Sequence, residues 1–217
     1  MVDLKEFEQK AADLRVLGMK ISIGQDTVYE KYWDEDCRRN IYSASKSFTS
    51  CAVGFAVQEG LIDLDERLMD AFKEDIPNNP DENLKKATVK DLLTMTLGQE
   101  KGFLMGKQRP RMEEQNWVKA SLAIPFVYEP GTHFVYNNVG PYLAGILVQR
   151  RAGCDLLSYL TPRLLKPLGI RKTIWEVDPE GNTFGAGGLF LTLSELHKFG
   201  LFYLNKGKWN GKQILSE

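Results

Sequence analysis

The stretch from Ser43 to Gln58 constrains the fold more than any other, because it carries almost no polar face. Ala52, Val53, Phe55, Ala56 and Val57 crowd its second half, so a helix there must be buried on most sides. Gly60 follows as a C-terminal stop. Gly54, in the middle, costs about 1 kcal/mol against alanine. The expectation is that another backbone packs close to it.

A helix without a solvent face needs neighbours on several sides, and the chain supplies candidates. Leu4, Phe7, Ala11 and Leu14 have helical spacing within 3–15. Later helices are expected at about 88–97 with Thr88 as cap, 113–121, 138–152, 155–165 and 193–204. Residues 18–33 read as a hairpin. Met19, Ile21 and Ile23 alternate with polar residues, Gly24-Gln25-Asp26 makes the turn, and Val28, Tyr29 and Tyr32 fill a second strand. Residues 34–42 read as a polar loop, and prolines at 77, 80, 110, 125, 130 and 179 punctuate the connections. Two strands against at least six helices is a lopsided α+β count.

The chain of 217 residues, 43% hydrophobic and 26% charged, can bury a real core. Its 28 basic and 29 acidic residues leave a net charge of −1, which gives no electrostatic footprint for nucleic acid or an anionic membrane. Its apolar stretches fall short of the roughly 20 residues that span a bilayer. The opening MVDLKEFEQKAADLR is charged throughout, with no apolar core of a signal peptide. Cys37, Cys51 and Cys154 fit neither a disulfide framework nor a metal-binding pair. A cytoplasmic protein without metal or cofactor is therefore expected.

Ser43-Ala44-Ser45-Lys46 is the first chemical motif. On a helix, positions i and i+3 share a face, so the lysine amine can reach the serine hydroxyl. Serine becomes nucleophilic beside a base, and lysine serves as one when burial or neighbouring charge lowers its pKa. The positive end of the helix dipole acts in the same direction. The competing reading makes Ser43 a plain N-cap. A cap favours Glu or Gln three residues on, whereas Lys46 stands there against the dipole, and a broken local rule of this kind marks function.

The second motif is Tyr136-Asn137-Asn138, after the turn Glu129-Pro130-Gly131-Thr132. A phenol near an ammonium can relay a proton, and an asparagine can hold both a lysine and a substrate amide. A second Tyr-x-Asn string, Tyr203-Leu204-Asn205, lies inside an apolar helix and reads as structural. His133 and His197 leave a Ser-His-Asp triad open in principle, without a local signature. Trp33, Trp117 and Trp175 could line a pocket, although large aromatics more often belong to core or rim.

Together these residues resemble the serine β-lactamase and penicillin-binding-protein superfamily, in particular its class C and esterase-like branch. YSASKSFTSCAVGFAVQEGLIDLDERL resembles the family's central helix and the turn after it, and TVKDLLTMTLG the next helix. EPGTHFVYNNVGPYLAGILVQRRAG is similar to the Tyr-x-Asn region, and LLKPLGIRKT and GAGGLFLTLSELHKFG to later segments, all in the family's order. The resemblance implies a β-lactamase/transpeptidase-like α+β fold over 1–217 as a single partial domain, with a mostly helical site region at 43–205.

It also implies Ser43 as acylated nucleophile, Lys46 as activating base, Tyr136 as partner in proton transfer and Asn138 as anchor for substrate and lysine. The Ser43 N–H would supply half of the oxyanion hole. The family's third motif, Lys-Thr-Gly or His-x-Gly, does not occur, since Lys172-Thr173 is followed by Ile174. The fold's C-terminal strands are accordingly expected to be missing, leaving an open sheet edge that could self-associate. Two functions follow: a serine hydrolase acting through an acyl-enzyme on a small-molecule ester, amide or β-lactam, or a receptor-like member that binds an acyl ligand or partner without turnover.

Overall fold

The computed structural model describes residues 4–217. In chain order the elements are α1 (Lys5–Ala11), β1 (Gly18–Ile23), β2 (Asp26–Tyr32), β3 (Arg39–Asn40), α2 (Ser45–Gln58), α3 (Leu68–Ala71), α4 (Glu82–Lys86) and α5 (Val89–Thr94). They continue with α6 (Trp117–Leu122), α7 (Val139–Ala152), α8 (Leu156–Leu160), β4 (Phe190–Leu191), α9 (Leu193–Leu204), β5 (Lys208–Trp209) and β6 (Lys212–Gln213).

Among the described residues the strands form three antiparallel pairs, β1–β2, β3–β4 and β5–β6. The hairpin over 18–33 stands as expected, with Gly18 opposite Tyr32 and a register shift between Ile21 and Ser22. The count of two strands was too low. The polar loop 34–42 contains β3, whose two residues pair with β4 some 150 positions later, a contact that local pattern does not encode. The β5–β6 hairpin turns on Asn210 and Gly211, both at positive φ. Asn-Gly between two strands is the standard signal for such a turn.

Helix boundaries shift for local reasons. The first helix is shorter than 3–15: α1 ends at Ala11, and Arg15 turns into the left-handed region; residue 3 lies outside the described residues. The expected helix 113–121 begins at Trp117, because the Asn116 side chain accepts the Lys119 N–H at 2.8 Å and caps it there. The expected 88–97 stops at Thr94, since Met95 adopts a left-handed conformation. After α8, Pro162 lies in a wider turn over Thr161–Leu165.

Helices α2 and α7 form the centre. On α2, Phe48, Cys51, Ala52, Val53, Phe55 and Ala56 are buried. On α7, every residue from Val139 to Gln149 is buried, as an all-round apolar helix requires. Gln149 is satisfied there by accepting the Thr183 N–H at 2.8 Å and donating to the Thr183 carbonyl at 3.1 Å. Phe48 of α2 stacks on Phe199 of α9 with ring centroids 3.7 Å apart. Trp117 and Trp175 belong to this core, whereas Trp33 sits edge-on to Phe7.

The close backbone approach expected at Gly54 occurs elsewhere. A Cβ on Gly54 would meet only the Leu215 side chain, at 3.3 Å, whereas one on Gly140 would lie 2.2 Å from the Leu92 carbonyl oxygen. Gly140 therefore sets how closely α7 approaches α5. Gly140→Ala is expected to destabilise the fold by about 2 kcal/mol or more, since backbone must move. Gly200→Ala, inside α9 with nothing within 4 Å of its Cβ position, should instead stabilise by about 0.5–1 kcal/mol. Denaturant midpoints of the two variants, shifted in opposite directions, check this account of the packing.

Candidate active site

The chain enters α2 through a single 3-10 turn at Tyr42–Ala44, so the helix starts at Ser45 rather than Ser43. Ser43 is not the helix cap. The turn closes on its own backbone, with Ala44 N–H donating to Ile41 O and Ser45 N–H to Tyr42 O. Tyr42 sits at φ 48°, a strained conformation for a non-glycine residue. It is held by its N–H donating to the Asn40 side chain at 2.7 Å and by the Ser45 hydroxyl donating to its carbonyl at 2.6 Å. The result exposes Ser43 to solvent.

Continuous right-handed winding keeps Lys46 one turn from Ser43, with Nζ donating to Oγ at 3.1 Å. The same amine donates to Asn138 Oδ1 at 2.7 Å and to the Ala186 carbonyl at 2.6 Å. Burial is the main reason that its pKa is lowered. The nearby Arg109 charge acts the same way, while Tyr136 opposes.

Tyr136 reaches Ser43 from the opposite side, its hydroxyl donating to Oγ at 2.7 Å. Its segment is laid along the end of α5, with Gly131 N–H donating to Thr96 O and Val135 N–H to Met95 O. Burial pushes the Tyr136 phenol up, but the hydrogen bond to Ser43 and the Lys46 charge outweigh it, so its pKa is lowered. The amine also lies 5.2 Å from the centre of the Tyr136 ring.

Adjacent asparagines divide two tasks. Asn137 Oδ1 accepts the Gly140 N–H at 2.8 Å and so caps α7. That leaves the Asn138 amide to accept from Lys46 with its oxygen and to donate to the Leu104 carbonyl at 2.9 Å. All four residues singled out by sequence thus converge in one chain of hydrogen bonds, Tyr136 to Ser43, Lys46 to Ser43 and Lys46 to Asn138.

Sequence reasoning missed the Ala186 carbonyl, because a backbone acceptor has no residue signature. Two buried hydroxyls on α2 set its position. Thr49 donates to the Gly185 carbonyl at 2.8 Å, and Ser45 accepts the Leu189 N–H at 3.1 Å. Trp175 closes the far side, donating from its indole to Gly187 O at 2.8 Å. The histidines lie elsewhere. His133 stacks on Tyr128 with centroids 4.2 Å apart, and His197 is 3.0 Å from the Ser22 hydroxyl. Tyr203 donates to Ser47 O at 3.3 Å, consistent with a structural second Tyr-x-Asn string.

Known proteins resemble both the sequence and the fold. A methylbutanoyltransferase of monacolin J acid from Aspergillus terreus is 31% identical over 157 residues, covering 63% of this chain and 37% of its own length. A lovastatin esterase from Penicillium rubens is 31% identical over 150 residues, covering 59% of this chain and 37% of its own length. An octameric penicillin-binding protein homologue from Pyrococcus abyssi superposes with a TM-score of 0.76 at 21% identity, over 99% of this chain and 58% of the other. The chain spans little more than a third of the two fungal relatives it matches.

The fold is therefore β-lactamase/transpeptidase-like, α+β with small antiparallel ladders among its helices. No helix of the described residues is long and apolar enough to cross a membrane. The family profile described as Beta-lactamase matches residues 5–217, and with that extent of agreement the chain belongs to the β-lactamase family.

Proposed function

We propose that this chain is a serine hydrolase that works through an acyl-enzyme on Ser43, taking an ester, amide or β-lactam as substrate. The observation that carries this reading is the position of Ser43 Oγ, exposed to solvent and within 3.1 Å of Lys46 Nζ and 2.7 Å of the Tyr136 hydroxyl. These are distances at which a proton can pass directly.

Ser43 Oγ attacks the substrate carbonyl carbon as its proton leaves for the Lys46–Tyr136 pair. A tetrahedral oxyanion forms near the Ser43 N–H. Its collapse expels the leaving group, which takes up the proton, and leaves the acyl group on Ser43. Water activated by the same pair then releases the acid. The relatives include a transferase and an esterase by name, and these two outcomes differ in whether another acceptor or water takes the acyl group. Asn138, tied to both Lys46 and Leu104, is suited to keep the amine in place and to meet the substrate's acyl side.

Incubation with a p-nitrophenyl ester should add one acyl group to the intact protein, and Ser43→Ala should add none. Lys46→Met should slow the addition by about 10²–10⁴-fold, the usual range for general acid–base catalysis. An adduct that forms and is never released would assign a receptor-like role in place of turnover. Labelling that survives Ser43→Ala would overturn the proposal.

The pH dependence has a definite sign. The base must be unprotonated, and the pKa values of both Lys46 and Tyr136 are lowered from their ordinary ranges. The acylation rate should therefore rise with pH, with its midpoint below the value of about 10.4 that titrates an unperturbed lysine. A midpoint at or above that value, read from labelling rates across pH, would contradict the assignment of the base.

A further inference from the structure

The loop between α5 and α6 crosses the site before it reaches α6. A Cβ on Gly102 would lie 2.7 Å from the Tyr136 carbonyl oxygen, so the loop touches the Tyr136 segment there. The Asn138 N–H donates to Phe103 O at 3.2 Å and its side-chain amide to Leu104 O at 2.9 Å. Leu104 is fully buried at φ 55°, a costly conformation held only by surrounding structure.

Five residues on, Arg109 reaches across to a third segment. Its Nη1 donates to the Glu176 carboxylate, and its guanidinium carbon lies 4.3 Å from the centre of the Phe184 ring. Its buried Nε has no partner among the described residues. The Glu176 backbone brackets the glycine-rich segment: Glu176 N–H donates to Gly188 O at 2.9 Å, and Phe184 N–H donates to Glu176 O at 2.8 Å. Ala186, whose carbonyl receives Lys46, lies between those two bonds in sequence.

We propose that Arg109 is a positioning residue for the Ser43–Lys46–Tyr136 site. Paired with Glu176 and stacked on Phe184, it straps the 102–112 loop to the segment whose carbonyl holds Lys46, which fixes its guanidinium charge beside that segment. This role rests on the acyl-enzyme reading of Ser43.

Stability alone gives little reason for the arrangement, because a partly exposed ion pair contributes little. Arg109 and Glu176 side chains are 19% and 38% exposed. The charged or titratable groups that face Lys46 are Tyr136, on the segment before α7, and Arg109 on the crossing loop, with Glu176 behind the arginine. Ser43, Asn138 and Ala186 are its uncharged neighbours. Two nearby cations disfavour each other, so the Arg109 charge adds to burial, the main cause, in lowering the Lys46 pKa.

The test follows Lys46 directly, by carbon-13 NMR of protein labelled at the lysine ε-carbon, with the resonance assigned by its loss in Lys46→Arg. Arg109→Met should move the Lys46 titration midpoint up. Arg109→Lys, which retains the charge, should restore most of the wild-type midpoint. The acid limb of Ser43 acylation should move with it, which is about a tenfold rate loss on that limb for each pH unit. Should Arg109→Met not fold, Arg109→Gln removes the charge, keeps donors for Glu176 and carries the same expectation. A wild-type chain that is never acylated would remove the acyl-enzyme reading, while the lysine midpoint would still judge Arg109. A midpoint that is the same in wild type and in the uncharged variant overturns the proposal.

Discussion

The site depends on a lysine amine taken partly out of water. A buried ammonium is costly unless its donors are satisfied, and Lys46 meets that demand with three acceptors from three distant parts of the chain. Ser43 comes from the turn ahead of α2, Asn138 from the start of α7, and the Ala186 carbonyl from the glycine-rich segment before β4. Bringing them together fixes how α2, α7 and that segment lie against one another. The same burial lowers the lysine's pKa, so one structural demand both organises the site and suits the amine to the role of base proposed for it.

The rest of the core serves that convergence. Ser45 and Thr49 are polar residues on the buried face of α2, and both hold the segment that carries Ala186. Gly140 lets α7 approach α5 closely, and the end of α5 in turn carries the Tyr136 segment. Tyr42, next to the exposed Ser43, and Leu104, on the loop that touches Asn138, are two of the left-handed non-glycine residues, and both lie at the site. A left-handed residue turns the chain sharply, and strain of this kind clusters where function needs a fixed geometry.

Much of this was legible in the sequence, for different reasons at different residues. Ser43 and Lys46 are separated by one turn, so their contact follows from helical winding even though the first turn is 3-10. Tyr136 and Asn138 were legible through their setting and the ordered resemblance, because their distance from Ser43 in the chain hides any local pattern. The Ala186 carbonyl, the division of work between Asn137 and Asn138, and the reach of Arg109 to Glu176 were not legible. Each is set by where backbone or a long side chain ends in space. The β3–β4 pair was hidden for the same reason, whereas the Asn210-Gly211 turn carried a readable signal that was passed over.

The central claim is that Ser43, Lys46 and Tyr136 act as one proton-transfer unit, and a double-mutant cycle on acylation of Ser43 tests it most directly. Groups that act as a unit lose their effect together, so single losses do not add. Lys46→Met and Tyr136→Phe should each slow acylation severely, and the double variant should be about as slow as the slower single variant. If the two losses instead multiply in full, the two side chains act independently on Ser43 and the account of a shared proton path is wrong.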